Sequence, residues 1–520
     1  MSETQTKGRQ ETAVPAIELT GISKSFGPVH ANKDISIAVQ SGTIHGIIGE
    51  NGAGKSTLMS ILYGFYKADR GEIFIKGAKT EIPDSQAAIQ CGIGMVFQHF
   101  KLVQNFTVLE NVVLGAEEGA LLAPSLSKAR KALNDLSREY ELQVDTEAVI
   151  DEIGVGMQQR VEILKALYRK AEILILDEPT GVLTPAEADH LFRILDNLRA
   201  QGKTIILITH KLREIIAYTD TVSVMRRGEM TATLKTAETS PEALAELMVG
   251  RKVLMQVDKP AATPGAIRLE INNLHSIDSK GVERLKGISL QLRAGEVLGI
   301  AGVAGNGQSE LLEILGGYGK GTGSIRVSGS EIDLTGQSSD GQSRRARGIG
   351  HVPEDRQNAG LIMDFAAWEN MVFGYHHAAE YQTGVLMDNA AIRDETAAKM
   401  ELFDIRPADC WLDAKNFSGG NQQKVVLARE IERNPDILLV GQPTRGVDIG
   451  AIEYIHKQII ALRDQGKAIL LVSVELDEIF ALSDRIIVMF DGQIMGERDP
   501  AQTDEKQLGL LMAGMNDEVA

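Results

Sequence analysis

An α/β fold built twice in tandem is what this sequence predicts, and three observations predict it. A glycine-rich loop, Gly49–Ser56 (GENGAGKS), connects an apolar run to a helix-like segment. Further on, ILILDEPT has the unbroken apolar character of a strand buried on both faces, and it ends in two carboxylates. Most of the first half then recurs in the second.

The chain opens with MSETQTKGRQETAVPA, which is polar, carries acidic residues and has no apolar centre. Residues 1–16 therefore read as a disordered tail and not as a secretory leader. The 520 residues suit two domains, each large enough for its own core. Acidic residues outnumber basic ones 71 to 54, a formal charge of −17, so the summed field repels nucleic-acid phosphates and anionic lipid. Apolar runs such as Thr204–Ile208 and Ile486–Phe490 stop far short of a bilayer's thickness. Cys91 and Cys410 stand alone, without metal-ligand or redox spacing, and read as packing residues in a reducing compartment.

The repeat fixes the expected boundaries. SGTIHGIIGENGAGKSTL, from Ser41, recurs as AGEVLGIAGVAGNGQSEL, from Ala294, an offset of 308 − 55 = 253 residues. GVGMQQRVEILKAL recurs as SGGNQQKVVLAREI at an offset of 418 − 154 = 264, and the same 264 relates ILILDEPTGVLT to ILLVGQPTRGVD and LMVG to LMAG. Domains are expected at 17–250 and 266–520. Between them, Arg251–Gly265 loses apolar periodicity to Pro, Ala and Gly and reads as a linker. Within the first half, SLSKARKALNDLSREYEL predicts a helix with a solvated charged face, inserted into the α/β core.

Gly49–Ser56 matches G-x-x-x-x-G-K-[ST] directly after the run Ile44–Ile48 and before TLMSILYGF. The spacing serves phosphate chemistry. Glycines let backbone N–H groups wrap phosphates, the helix start adds a positive dipole end, Lys55 neutralises terminal charge and the Ser56 hydroxyl can ligate Mg²⁺. Asp177 and Glu178 follow the strand Ile173–Leu176, where a carboxylate can hold Mg²⁺ and a second can polarise the attacking water. By itself an acidic pair after a strand is ordinarily a polar loop. The phosphate loop upstream and the Pro-Thr turn that follows reverse that reading.

With these motifs in this order the chain resembles the ATP-binding cassette (ABC) family over everything beyond residue 16. The resemblance implies two tandem ABC nucleotide-binding domains, each a phosphate-loop α/β core with an antiparallel β portion and an inserted α-helical subdomain. It implies ATP and Mg²⁺ as ligands. Gly49, Glu50, Asn51, Gly52, Ala53, Gly54, Lys55, Ser56 and Thr57 would hold the phosphates, and Phe26 in KSFG would stack on adenine. Ser56, Asp177 and Gln98 (GMVFQHF) would hold the metal, with Gln98 also signalling to a membrane partner. Glu178 would act as base, and His210 in LITHKLRE would contact the γ-phosphate. Taken singly, Phe26 would be a packing residue and His210 a turn residue; the ordered series gives them these roles.

The family's remaining mark, a signature usually written LSGGQ, stands in the second half as Phe417-Ser418-Gly419-Gly420-Asn421. Ser418 would cap the following helix and turn its N–H groups to a phosphate. In the first half Gly154 takes the serine's place and has no hydroxyl to offer. The second half also loses the loop lysine (Gln308), the Asp-Glu pair (Gly441, Gln442) and the histidine (Val474), and has Glu354 at the glutamine position. In the family's head-to-tail arrangement each site joins one half's phosphate loop to the other half's signature. One site would then combine Lys55, Asp177, Glu178 and His210 with Ser418, Gly419, Gly420 and Asp448. The other would collect every loss, with Thr184 where the first half's turn lacks an aspartate. One competent and one degenerate site are expected.

The fused halves, QPTRG, and the LMVG and LMAG endings are similar to those of ATPases from bacterial simple-sugar and nucleoside importers. GIGMVFQHFKLVQNFTVLENVVLG and VGMQQRVEILKAL are closest to the nucleoside-type branch. That resemblance implies a peripheral protein on the cytoplasmic face of the inner membrane, two transmembrane permeases, an extracytoplasmic substrate-binding lipoprotein and no nucleic acid. Monosaccharide import is the alternative. A tandem-cassette ribosome factor is a further one, against which stand the short linker, the stripped second site and the acidic charge.

Overall fold

A computed structural model of the chain describes residues 14–27, 29–97, 100–116, 122–181, 183–252, 258–303, 305–334, 340–384, 386–447 and 449–515, with 122–125 as backbone alone. The chain divides into two units, Met1–Lys252 and Val253–Ala520.

In the first unit a six-stranded sheet runs in the order Glu229–Lys235, Thr221–Arg226, Ile44–Gly49, Thr204–Ile208, Ile173–Asp177, Ile93–Val96. Its strands pair in parallel except at the Glu229–Lys235 edge. Central strands of such a sheet are covered on both faces, and Ile173–Asp177 and Thr204–Ile208 are buried at every residue. A second sheet, antiparallel, orders Val29–Val39, Ile17–Phe26, Arg70–Ile75 and Ala78–Lys79. Ala16, read from sequence as part of the tail, directly precedes the interior strand Ile17–Phe26 of this sheet. It is buried, donates to the Val39 carbonyl at 2.8 Å and accepts from the Lys76 N–H at 3.0 Å.

Between the two sheets lies the helix Lys55–Leu62, with Leu58, Met59, Ile61 and Leu62 packed among Ile17, Leu19, Ile22, Ile175 and Ile206. Burying one such side chain is worth roughly 1.5–3 kcal/mol, so four of them fix the helix and the loop before it. The inserted helix Leu122–Glu139 forms where the sequence predicts it, burying Ala129 and Leu133.

The second unit repeats this plan. Ile349–Val352, Ile437–Gly441, Ala468–Ser473, Glu296–Ala301, Arg485–Phe490 and Gln493–Arg498 form its larger sheet, and Glu283–Arg293, Ile267–Ile277, Thr322–Val327 and Ser330–Ile332 the smaller. The helix Gln308–Gly316 sits between them through Leu311, Leu312, Ile314 and Leu315. Of the segment read as a linker, Lys259 donates to the Ser483 carbonyl at 2.5 Å, Pro260 accepts from Arg463 at 2.9 Å and Gly265 donates to Ala294 at 2.8 Å. These residues are built into the second unit.

Two amides brace the helical region of each half. Asn111, 1% exposed, accepts from the Val103 N–H at 2.7 Å and donates to the Val103 and Thr107 carbonyls. Asn370, fully buried, makes the same loop-to-helix bonds to Ile362, Phe365 and Ala366. Gln158 and Gln422 likewise tie Ile150 and Ile153, and Ala414 and Phe417, to the helices that follow. Replacing Asn111 or Asn370 by leucine strands buried loop groups at about 1–3 kcal/mol each, so the expected loss is about 2–4 kcal/mol. Denaturant unfolding followed by circular dichroism measures it, and a loss below about 0.5 kcal/mol would rule out this bracing role.

Candidate functional site

The phosphate loop of the first unit is shaped by close backbone approaches that only glycine tolerates. A Cβ on Gly49 would stand 2.4 Å from the Met225 carbonyl oxygen, and one on Gly54, at φ +97°, 2.2 Å from that of Ala31. Lys55, 6% exposed, curls back to donate to the carbonyls of Gly49 at 2.7 Å and Glu50 at 3.1 Å. Burial lowers its pKa, and the charges of Glu178, Asp177 and Glu50 oppose that effect. Asn51 and Gly52 are exposed at the loop's tip, Ala53 is buried, and Ser56 and Thr57 begin the helix.

The acidic pair stands at the carboxyl end of the interior strand Ile173–Asp177, where open α/β sheets gather their ligands. Asp177 receives a hydrogen bond from the Ser56 hydroxyl, yet burial holds its carboxyl above the ordinary carboxylate range. Glu178 adopts φ +50°, a conformation uncommon for a side-chain-bearing residue, and its N–H donates to the Ile208 carbonyl at 2.8 Å. This turn directs it to His210, whose Nδ1 lies 2.9 Å from Glu178 Oε1. Burial pushes the Glu178 carboxyl up. The hydrogen bond and charge of His210, with Lys55 and Lys211, outweigh that and leave it below the ordinary glutamate value.

Supporting bonds fix this turn. Gln159 donates to the Pro179 carbonyl at 2.6 Å, while Thr180 and Thr209 both donate to the half-buried carboxylate of Glu214. Sequence reading missed Gln159 and Glu214, whose importance comes from partners distant in the chain. Lys55, Ser56, Asp177, Glu178 and His210 are thus brought together. A hydroxyl bonded to a carboxylate is an all-oxygen donor pair, the chemistry that suits Mg²⁺. Phe26 ends its strand 43% exposed, edge-on to Tyr66 with ring centroids 5.1 Å apart. Tyr66 is a second exposed ring that the motifs did not single out. Gln98 and Asp448 lie outside the described residues.

In the second unit Ser418 caps the helix Gly419–Ile431, its hydroxyl accepting from Asn421 Nδ2 at 2.9 Å. Gly419 is sterically required: a Cβ there would meet Arg356 Nη2 at 2.5 Å and the Gly446 carbonyl oxygen at 2.8 Å. Arg356 is held by the Arg445 carbonyl at 2.6 Å, and Gly420 is buried. Gly154 caps the helix Val155–Tyr168 with no side-chain bond, and a Cβ there would meet nothing within 4 Å. Space does not demand that glycine.

The second phosphate loop keeps the scaffold and changes the chemistry. Gln308 is 5% exposed at the lysine's position. Gln442 repeats the strained turn at φ +46° and bonds Val472 as Glu178 bonds Ile208. Its Oε1 accepts from the Val474 N–H at 3.3 Å, so an amide faces a valine where a carboxylate faces a histidine. Sequence reading has the metal carboxylate lost at Gly441. The structure instead brings in Glu354, which accepts the Ser309 hydroxyl and lies 3.5 Å from Gln442 Nε2.

The ABC transporter family model matches residues 32–181 and 285–445. The nucleoside import ATP-binding protein NupA of Lactococcus lactis is 47% identical over 96% of this chain and 98% of its own length. The guanosine import ATP-binding protein NupO of Bacillus subtilis is 46% identical over 97% and 98%. The glucose import ATP-binding protein TsgD13 of Haloferax volcanii is 42% identical over 98% of each. Both halves match the family, each has the loop and strand geometry of a phosphate site, and the likeness runs nearly end to end: the chain belongs to the ABC transporter family, as a tandem ATPase.

Proposed function

We propose that this chain is the ATP-hydrolysing subunit of a nucleoside importer, with hydrolysis confined to the site built on the first phosphate loop. The observation that carries the confinement is the Glu178–His210 contact at 2.9 Å beside the Ser56–Asp177 pair, set against Gln442 facing Val474 in the other half. Lys55 neutralises phosphate charge, and Ser56, Asp177 and Gln98 hold Mg²⁺, which supplies charge stabilisation to the phosphates. The Glu178 carboxylate, kept ionised by His210, accepts the proton of the attacking water. Phe26 stacks on adenine. The family's head-to-tail arrangement would bring Ser418, Gly419 and Gly420 of the second half to the γ-phosphate.

Closure on ATP and reopening after phosphate release would be passed to two membrane permeases at the cytoplasmic face, which receive cargo from an extracytoplasmic binding lipoprotein. The names of the two relatives at 46–47% identity support a nucleoside cargo. The glucose import relative at 42% identity supports a second reading, simple-sugar import.

Cells without this chain should lose energised guanosine uptake and keep glucose uptake; labelled-substrate uptake decides, and the reverse pattern selects the sugar reading. In steady-state phosphate release Glu178→Gln should fall by roughly 10²-fold or more, while Gln442→Ala stays within about twofold. A large loss in the second variant would overturn the assignment.

The pH response has a definite sign. Glu178 is held below its ordinary pKa, so the base is ionised through neutral pH and lost only as pH falls through that lowered value. His210→Ala removes the hydrogen bond and charge that oppose burial most and leaves only Lys55 and Lys211 against it, so the acid limb of phosphate release should move to higher pH. An unmoved limb would remove His210 as the group that keeps the base ionised.

A further inference from the structure

Two turns of the second unit meet at the start of the helix Gly419–Ile431, and one guanidinium joins them. The signature turn supplies Ser418 as the cap. The other turn follows the strand Ile437–Gly441 and runs through Thr444, Arg445 and Gly446. Between them lies Arg356. Its Nη1 donates to the Arg445 carbonyl at 2.6 Å. Its Nη2 is so close to both turns that a Cβ on Gly419 would stand 2.5 Å from it and one on Gly446 3.3 Å. Nε donates to Gln422 Oε1 at 3.4 Å, and Gln422 Nε2 donates in turn to the Ala414 and Phe417 carbonyls at 3.0 and 3.2 Å. The planar fork of an arginine holds partners on two sides at once, which the single ammonium of a lysine does not.

The first unit braces the corresponding turn differently. There Gln159, in the helix Val155–Tyr168, donates to the Pro179 carbonyl at 2.6 Å. Its counterpart in the repeat is Gln423, at 423 − 159 = 264, which is buried and whose Nε2 has no hydrogen-bond partner among the described residues. The brace on that turn has passed from the glutamine to Arg356. A second exchange accompanies it. The strands Ile93–Val96 and Ile349–Val352 correspond at 349 − 93 = 256, which sets Phe100 opposite Arg356, and the offset of 264 sets Val155 opposite Gly419. Arginine goes with glycine in one unit, phenylalanine with an exposed valine in the other. The unit with the arginine is also the one whose cap is a serine.

Ion pairing does not account for the arginine's place. Burial and the neighbouring charge of Arg445 disfavour the guanidinium, and Asp355 opposes them through its charge alone. The Asp355 oxygens are engaged elsewhere, accepting from the N–H groups of Gln357 and Asn358 and from the Asn358 amide. What holds Arg356 is the backbone of one turn and the glutamine that anchors the other.

We infer that Arg356 is a positioning residue for ATP hydrolysis: it ties the signature turn to the turn 444–446, so that the Ser418 hydroxyl and the N–H groups behind it meet the γ-phosphate as one rigid face. This rests on the proposed reading in which the second half's signature serves the ATP of the first phosphate loop. Groups that stabilise a transferring phosphoryl act by exact placement, and a residue that fixes their placement governs the rate without touching the nucleotide.

Steady-state phosphate release by the full chain is the test. Arg356→Ala should lower the maximal rate at least about tenfold. Ser418→Ala should lower it as well, and the double variant should be no slower than the slower single one, because the arginine acts through the serine's turn. Losses that multiply, as they would if Arg356→Ala only reduced the folded population, overturn the inference. So does an Arg356→Ala chain within about twofold of the parent. Arg356→Lys keeps the stem and the charge but reaches one turn only, so its rate should fall between those of the parent and Arg356→Ala. It decides the matter if Arg356→Ala does not fold, and full activity in it overturns the two-sided tie. If Ser418→Ala alone leaves release unchanged, the reading of the signature falls and the inference with it. A loss in Ser418→Ala beside none in Arg356→Ala overturns the arginine's role and leaves that reading intact.

Discussion

The helix that follows each phosphate loop is clamped between two sheets, and the rest of the site depends on that clamp. Leu58 and Leu62 in one unit, Leu311 and Leu315 in the other, are buried against apolar side chains of both sheets. A helix so held cannot rotate, so the residue at its start projects in one direction only. The glycines before it complete the constraint, because Gly49 and Gly54 sit within contact distance of neighbouring carbonyls and leave the loop one path. Backbone N–H groups are thereby aimed before any ligand arrives, which is the form of preorganisation that lowers the cost of binding phosphate.

That rigidity lets one scaffold carry two chemistries. Lys55 is an ammonium group in a buried place, stabilised there by the carbonyls it bonds and by Asp177, Glu178 and Glu50. An isolated cation would be expensive at this depth, and the acidic pair is its compensation. In the second unit a neutral Gln308 removes the need for that compensation, and the strand-end pair is Gly441 and Gln442. The strained φ of Glu178 and Gln442 is nevertheless common to both, so the turn geometry does not depend on the carboxylate.

The signature region shows the same separation of scaffold from chemistry. Gly419 is enforced by Arg356 and Gly446, whereas Gly154 has open space where a side chain would project. The first is a steric necessity. The second is a free choice of residue, and its effect is to leave the helix Val155–Tyr168 without a capping hydroxyl.

The sequence by itself determined the tandem α/β architecture and the two phosphate loops, since these reside in local patterns: a glycine spacing, a buried apolar run and a repeat. It could not show that Glu354 replaces the carboxylate missing at Gly441. The two residues are far apart in the chain and meet only where parallel strands place their ends side by side. Nor could it reveal Asn111, Asn370, Gln159 or Arg356, ordinary polar residues whose roles are set by loop carbonyls and backbone they reach across the fold. Nor could it show that Ala16 bonds Val39 and Lys76, because backbone pairing is decided by the neighbouring strands. Patterns along the chain report which chemistry is encoded. Which side chains share it is decided by packing, because hydrogen bonds and steric exclusion act through space at a few ångströms regardless of separation in sequence.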